Sequence, residues 1–140
     1  MRKERIVSWS LRVLCAVILL QTLFFKFGGA EESRRIFSAL GVEPWGRIVV
    51  GLFELVAAVL LFLPSMTWLG ALFSAVLMAG AIFAHVTVLG VALQNVVKGG
   101  DGGLLFSLAV VVFFASLALF VLEWKEGRPK VFVEEHLLKR

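Results

Sequence analysis

The sequence has very little sulfur chemistry available to it. It holds a single cysteine, Cys15, in 140 residues, so it cannot close an internal disulfide or build a four-thiolate metal cluster. A lone thiol also excludes the CxxCH haem anchor and the membrane enzymes that exchange thiols through a CxxC pair. Because Cys15 lies within a long apolar run, we expect it to be a small core residue.

Charged residues are also scarce, and they are unevenly placed. They make up 17% of the chain, whereas 60% of the residues are hydrophobic, which is more apolar than an ordinary soluble domain. The charges gather at the two ends and in two connecting segments. The stretches between them form four runs long enough to cross a hydrocarbon core of ~30 Å as helices. These runs cover residues 6–27, 46–63, 68–92 and 104–124, and a charged tail follows over 125–140.

The sequence therefore predicts one all-α domain over residues 1–140, an antiparallel bundle of four transmembrane helices. The segment Ser65–Thr67 is too short to join the second and third helices in any arrangement other than a hairpin. All four tryptophans lie at the ends of runs, where amphipathic rings favour the membrane–water interface. Between the first two helices, Glu31–Val42 has apolar residues at helical spacing, which predicts a short amphipathic segment on the outer surface.

The distribution of lysine and arginine predicts the orientation. Eight basic residues lie in the two terminal segments, and five lie in the two connections on the opposite side. By the positive-inside rule, both termini are expected in the cytoplasm, with the chain multi-pass in the cell inner membrane. The net charge of +4 favours an anionic lipid bilayer as partner. Nucleic acid is not expected, because no basic patch alternates with stacking aromatic residues.

Four ionisable residues of the apolar runs are the candidates for a special role, because a charge in the membrane costs at least ~2.5 kcal/mol. They are Arg12, Lys26, Glu54 and His85. Arg12 lies near the inner face, where its long side chain can reach the headgroups, so a structural role is expected. At a rise of 1.5 Å per residue, the other three lie in the outer half of the bundle. Glu54 and His85 share their helix faces with small residues, which favour inward packing.

The predicted ligand site combines these three side chains with a neighbouring hydroxyl, and it includes three secondary candidates. Its members are Lys26, Glu54, His85 and Thr22, with Gln21, Arg47 and Asp101 as the secondary set. Two interpretations stay open: the charged residues bind a ligand or carry a proton, or a buried ion pair only fixes helix register. Asp101 is either a cap or loop residue or a group that closes the site. The sequence assigns no catalytic residue, and its ligand spacing predicts no metal site.

Four fragments carry a family resemblance. They are Phe25-Lys26-Phe27-Gly28, then 37–44 (FSALGVEP), 51–55 (GLFEL) and 79–85 (AGAIFAH). With these in this order and spacing, the chain from about Trp9 to Leu122 resembles the DoxX family of small bacterial membrane proteins. The resemblance implies a four-helix membrane bundle. Some relatives resemble the membrane subunit of thiosulfate:quinone oxidoreductase, and others belong to oxidoreductase assemblies linked to thiol and oxidative stress.

The functional hypothesis is therefore an inner-membrane subunit of a redox, sulfur or oxidative-stress system. Its pocket in the outer half of the bundle would take a quinone-like or small anionic ligand, and quinone is the one cofactor this implies. A protein partner or a second copy of the chain is expected. If the chain takes part in an enzyme, it does so as a subunit of an oxidoreductase complex. The alternatives are a non-catalytic scaffold or assembly factor and, less favoured, a small solute transporter.

Overall fold

The computed structural model describes residues 2–138, and every regular element in that part of the chain is helical. The elements are α1 (Arg2–Phe27), α2 (Glu31–Ala39), α3 (Trp45–Phe62), α4 (Thr67–Ala84), α5 (Leu104–Lys125) and α6 (Arg128–Val133). A π-helical turn, His85–Leu89, continues α4, and a second one, Glu134–Leu138, follows α6. Four units of the described part of the chain are long and apolar enough to cross a membrane: α1, α3, α5, and α4 together with its π-turn. This confirms the predicted four-helix class.

The four long helices pack in a ring, in which each contacts two neighbours: α1 lies between α3 and α5, and α4 lies between the same two helices on the opposite side. Neighbours run antiparallel. One end of the bundle, the terminal end, therefore holds the start of α1, the α3–α4 turn and the end of α5. The other, the loop end, holds α2, the π-turn and the segment before α5.

The interior of the bundle is built from small and aliphatic side chains. Its fully buried members include Cys15, Leu19, Ala57, Leu61, Ala71, Val112 and Leu119. The outer surface is just as apolar, with leucine, valine and phenylalanine exposed along every long helix. Lipid tails solvate such side chains as well as the core does, so tight helix contact and buried polar groups, rather than apolarity, distinguish inside from outside.

The predicted helix ends differ from the observed ones by more than one residue at two places. The third long helix ends at Leu89 rather than at residue 92, because Gly90 adopts a φ of 81° that a right-handed helix does not allow. The first begins at Arg2, four residues before its apolar run, so the basic N-terminal segment is helical as well. The tail beyond Lys125 contains a short helix, α6, that packs against α5.

The amphipathic segment α2 covers part of the loop end. It buries Ser33 and Phe37, while Glu31 and Glu32 in its first turn are exposed. It packs against α1, α3 and the π-turn after α4, so it touches three of the four membrane-spanning units. The short helix thereby brings together the residues that end α1, begin α3 and end α4.

The α3–α4 hairpin depends on a close approach of two backbones at Gly70. A Cβ atom placed on Gly70 would lie 2.7 Å from the backbone nitrogen of Leu61 and 2.9 Å from the carbonyl carbon of Leu60. Gly80, ten residues later in the same helix, faces open space, with no atom within 4 Å of such a Cβ.

We expect Gly70→Ala to destabilise the bundle by about 1–3 kcal/mol, because the added methyl group must push two backbones apart. Gly80→Ala is the matched control, and it should be neutral or stabilising by up to about 1 kcal/mol because alanine favours the helix. The midpoint of unfolding in mixed detergent micelles measures both. Equal midpoints for the two variants would contradict the close approach.

Candidate functional site

A buried ion pair joins α1 to α3 at the loop end. The Lys26 Nζ lies 2.8 Å from Oε2 of Glu54 and donates a hydrogen bond of 3.1 Å to its Oε1. The hydroxyl of Thr22, one turn earlier on α1, lies 3.1 Å from Oε2 of Glu54 and 2.8 Å from the carbonyl oxygen of Leu19, and its one hydrogen can be donated to either. Glu54 is only 3% exposed. A carboxylate so deeply buried is tolerated because a cation and a hydroxyl satisfy both of its oxygens.

Small residues on α3 let the Glu54 carboxylate reach this position. Gly51, Ala57 and Ala58 share the buried face of α3 with it. Because their side chains are short, α1 can approach closely enough for Lys26 to contact Glu54 directly. The cation is the more accessible partner, since the Lys26 side chain is 14% exposed. It reaches the edge of the bundle, where a long side chain can extend toward the interface.

Arg47, at the start of α3, holds the end of α1. Its guanidinium donates to the backbone carbonyl of Lys26 and, through Nε, to both carboxylate oxygens of Glu43 at 2.9 and 3.0 Å. The last carbonyl groups of a helix have no partner within the helix, and an arginine is well suited to satisfy one of them. Arg47 thus links the loop before α3 to the end of α1, directly beside the Lys26–Glu54 pair.

His85 begins the π-turn and is 6% exposed. Its Nδ1 lies 2.9 Å from the carbonyl oxygen of Ala81, one turn earlier on α4. Within residues 2–138 its Nε2 is buried without a hydrogen-bond partner. The ring of Phe106, near the start of α5, packs at 5.8 Å between centroids. A π-turn inside a helix is uncommon and is frequently found at functional sites.

The structure brings part of the predicted site together. Thr22, Lys26 and Glu54 form one bonded cluster, and Arg47 joins it through the Lys26 carbonyl. His85 lies at the same end of the bundle, but in the described residues it forms neither a hydrogen bond nor an ion pair with that cluster. The ligand-binding roles of Thr22, Lys26, Glu54 and His85 stay predictions.

Two of the secondary candidates take other positions. Gln21 is exposed on the outer face of α1. Asp101 caps α5: its Oδ1 accepts from the Gly103 amide and its Oδ2 from the Leu105 amide, both at 2.9 Å. Free amides at a helix start favour a carboxylate in this position. Of the two alternatives for Asp101, the contacts favour the cap.

A second polar cluster, which the sequence reasoning missed, lies at the terminal end. Arg12 on α1 contacts Oε1 of Glu123 on α5 at 2.8 Å, and Ser8 donates to the same oxygen at 3.0 Å. Arg12 and Glu123 are 3% and 1% exposed. The expectation that Arg12 reaches the headgroups is therefore wrong, because a carboxylate on another helix neutralises it inside the bundle. From α6, Arg128 approaches Oε2 of Glu123 at 3.1 Å and donates to the carbonyl of Pro64.

Comparison with known proteins assigns the chain to a family. The DoxX family model matches residues 8–87, which is more than half of the chain. The chain belongs to the DoxX family. No curated protein and no solved structure matches it. The matched region of this DoxX protein contains the Lys26–Glu54 pair and His85, whereas Phe106, Glu123 and Arg128 lie beyond it.

One signal in the DoxX sequence could have revealed the terminal cluster. Ser8, Arg12 and Cys15 lie on one face of α1, and all three are buried against α5, where Cys15 Sγ lies 3.6 Å from the Ser116 hydroxyl. In an antiparallel pair, the start of α1 lies beside the end of α5, so Glu123 is the natural partner of Arg12. Glu123 was not among the residues predicted from the sequence.

We expect Glu54→Gln to destabilise this DoxX protein by about 3 kcal/mol, because it leaves the Lys26 cation without its carboxylate in a dry environment. The control is Glu31→Gln, which removes an exposed pair with Arg35 on α2 and should cost less than about 1 kcal/mol. Unfolding midpoints in detergent measure the difference. If the two variants are equally stable, the pair contributes nothing to the fold.

In the terminal cluster we expect a similar difference in stability between substitutions at a buried and at a partly exposed glutamate. Glu123→Gln should destabilise the bundle by about 3 kcal/mol because it leaves the buried Arg12 unneutralised. Glu126→Gln removes only a partly exposed contact to Arg128 and should change stability by less than about 1 kcal/mol. Steric-trapping or thermal unfolding in nanodiscs compares them. A larger effect at Glu126 would show that the buried pair does not hold α1 to α5.

Proposed function

We propose that this DoxX protein is the membrane subunit of a redox, sulfur or oxidative-stress system and binds a quinone-like or small anionic ligand at the loop end. The observation that carries the proposal is the buried Nε2 of His85, which has no hydrogen-bond partner in the described residues. We place the protein in the cell inner membrane with both termini in the cytoplasm. The loop end would then face the periplasm.

The free-energy cost of leaving His85 Nε2 unpaired favours a bound ligand as its hydrogen-bond partner. A buried polar atom without a hydrogen bond costs about 1–3 kcal/mol, and a ligand that bonds to it recovers that free energy. The atom belongs to a π-turn that contacts α2, and its imidazole ring packs beside the ring of Phe106. An aromatic wall with one convergent polar atom is typical of small-molecule sites, where apolar surface supplies affinity and the polar atom orients the ligand.

In this proposal, the Lys26–Glu54 pair sets the charge at the loop end. Lys26 is the more exposed member, and it would offer its ammonium group to an anionic ligand or to a polar headgroup at the edge of the bundle. Glu54 holds the lysine in place and keeps the cluster close to neutral. Thr22 supplies a hydroxyl that can turn from the carboxylate to a ligand oxygen.

The same chain has little means of moving electrons by itself. Its one thiol, Cys15, is buried in the bundle and contacts the hydroxyl of Ser116. A thiol–disulfide reaction needs a second sulfur, which this sequence does not contain. Any redox role therefore requires a bound quinone, a partner protein or both, which is why we propose a subunit rather than an independent enzyme.

A second candidate function, a membrane scaffold or assembly factor, is favoured by a different observation. The carboxylates of Glu54 and Glu123 are engaged by cations, and each pair connects α1 to another helix. Ion pairs of this kind can fix the register and orientation of helices without binding a ligand. A scaffold of this type would assemble with a protein partner or a second copy of the chain.

Titration of the nanodisc-embedded protein with a short-chain ubiquinone and, under anoxic conditions, with the matching ubiquinol tests the ligand proposal by tryptophan fluorescence. We expect at least one redox form to bind and His85→Ala to weaken that binding at least about tenfold, since it removes the buried Nε2 atom that has no hydrogen-bond partner in the described residues. Thr87→Val is the matched control and should bind like the native chain. Thr87 lies in the same π-turn but is exposed, and its hydroxyl donates to the carbonyl of Phe83.

The result also separates the candidate functions. Unchanged affinity in both His85→Ala and Glu54→Ala, or no binding of either redox form by the native chain, would overturn the ligand proposal. A scaffold predicts that Glu54→Ala and Glu123→Ala weaken assembly with partners while no ligand is bound. Substrate flux into proteoliposomes containing the protein alone would instead indicate a transporter.

A further inference from the structure

The contacts of His85 determine which of its ring nitrogens carries the proton. Its Nδ1 lies 2.9 Å from the carbonyl oxygen of Ala81, and a carbonyl oxygen can only accept a hydrogen bond. The proton must therefore be on Nδ1. In a neutral imidazole the other nitrogen then has no hydrogen, so Nε2 presents a lone pair and acts only as an acceptor.

A hydrogen on Nε2, in addition to the one on Nδ1, would have no hydrogen-bond acceptor in the described residues. Nε2 is buried and has no partner within residues 2–138, and the nearby ring of Phe106 offers no lone pair. Three carboxylates at this end of the bundle are already engaged: Glu54 by Lys26, Glu43 by Arg47, and Asp101 by the amides at the start of α5. A hydrogen on Nε2 would therefore be a buried donor without an acceptor in the described residues, whereas the bare nitrogen leaves a lone pair that a ligand hydroxyl can use.

We propose that the His85 site takes the hydroxyl of a neutral aromatic ligand, a hydroquinone, and discriminates against the corresponding quinone and against small anions. This inference rests on the proposed function, because it specifies the ligand of that same site. Of the ligand classes in the proposed function, it selects the one that can donate a hydrogen bond to Nε2.

The selection follows from what each ligand can donate. A hydroquinone hydroxyl donates to the free Nε2 lone pair and satisfies it. A quinone carbonyl or an anion presents only lone pairs, which would lie against the lone pair of Nε2. Leaving a buried polar group unsatisfied costs more free energy than a typical hydrogen bond contributes, so rejection of the wrong form can be strong.

The aromatic character of the ligand follows from Phe106. Its ring lies 5.8 Å from the imidazole, with the two planes tilted by 55°, and it provides a wall against which a flat ring can pack. Aromatic pairs favour such offset or edge-on arrangements at this separation. The membrane-facing side of the π-turn is also apolar, with Val86 exposed, so a lipid-soluble ligand can approach from the bilayer.

The first experiment measures the tautomer directly. The chain has two histidines, so a His136→Gln background leaves His85 as the only labelled one. In ¹⁵N-histidine NMR spectra of this protein in nanodiscs, Nδ1 should give the signal of a protonated nitrogen and Nε2 that of a bare one. Addition of a short-chain ubiquinol should shift the Nε2 signal toward that of a hydrogen-bonded acceptor. A proton on Nε2 in the free protein would overturn the inference.

The second experiment compares the two redox forms of one ligand. Under anoxic conditions, the native chain should bind short-chain ubiquinol at least about tenfold more tightly than the matching ubiquinone. His85→Phe keeps an aromatic ring without the acceptor and should remove that preference. His85→Gln, whose amide can donate or accept, should bind both forms with similar affinity.

The outcomes distinguish the two proposals. If quinone binds as tightly as quinol, or more tightly, the inference fails while a ligand site remains. If inorganic sulfate or thiosulfate shifts the Nε2 signal, an anion is the ligand and the inference fails. If neither redox form binds to the native chain, the proposed function fails and this inference fails with it.

Discussion

Placing charge in hydrocarbon is costly, and the packing of this bundle depends on how that cost is met. Two cations on α1, Arg12 and Lys26, lie within or at the edge of the apolar zone, and each contacts a carboxylate on a different neighbour. The pair with Glu54 ties α1 to α3, and the pair with Glu123 ties it to α5. Removing either partner leaves a bare charge, so both contacts constrain the rotation and height of α1.

Because lipid solvates apolar side chains as well as the protein interior does, the polar contacts determine the choice of helix partners more than the apolar contacts do. Leucine and phenylalanine occur on the outside of every long helix as well as inside. The hydrophobic effect therefore drives the helices into the membrane but does little to choose their partners. Close contacts such as Gly70 against the backbone of α3, together with the two ion pairs, give each interface its own geometry.

The sequence was sufficient to predict the four membrane-spanning helices, because apolar runs of this length have few other structures open to them. It also predicted Glu54, Lys26 and His85 at the same end of the bundle, and the structure pairs Glu54 with Lys26. The bond between Arg12 and Glu123 was missed, because Glu123 becomes the evident partner only once α1 is known to adjoin α5. The π-turn was not predicted either, since its residues, His85–Leu89, include no glycine or proline.

The two ion pairs also have a consequence for biogenesis. Both cations lie on α1, whereas their partners arrive later in synthesis with α3 and α5. Lys26 is neutralised once α3 has emerged, but Arg12 waits until nearly all of α5 has been made. A polypeptide interrupted before residue 123 would thus carry an exposed guanidinium in the bilayer, a mark that a membrane quality-control protease could recognise.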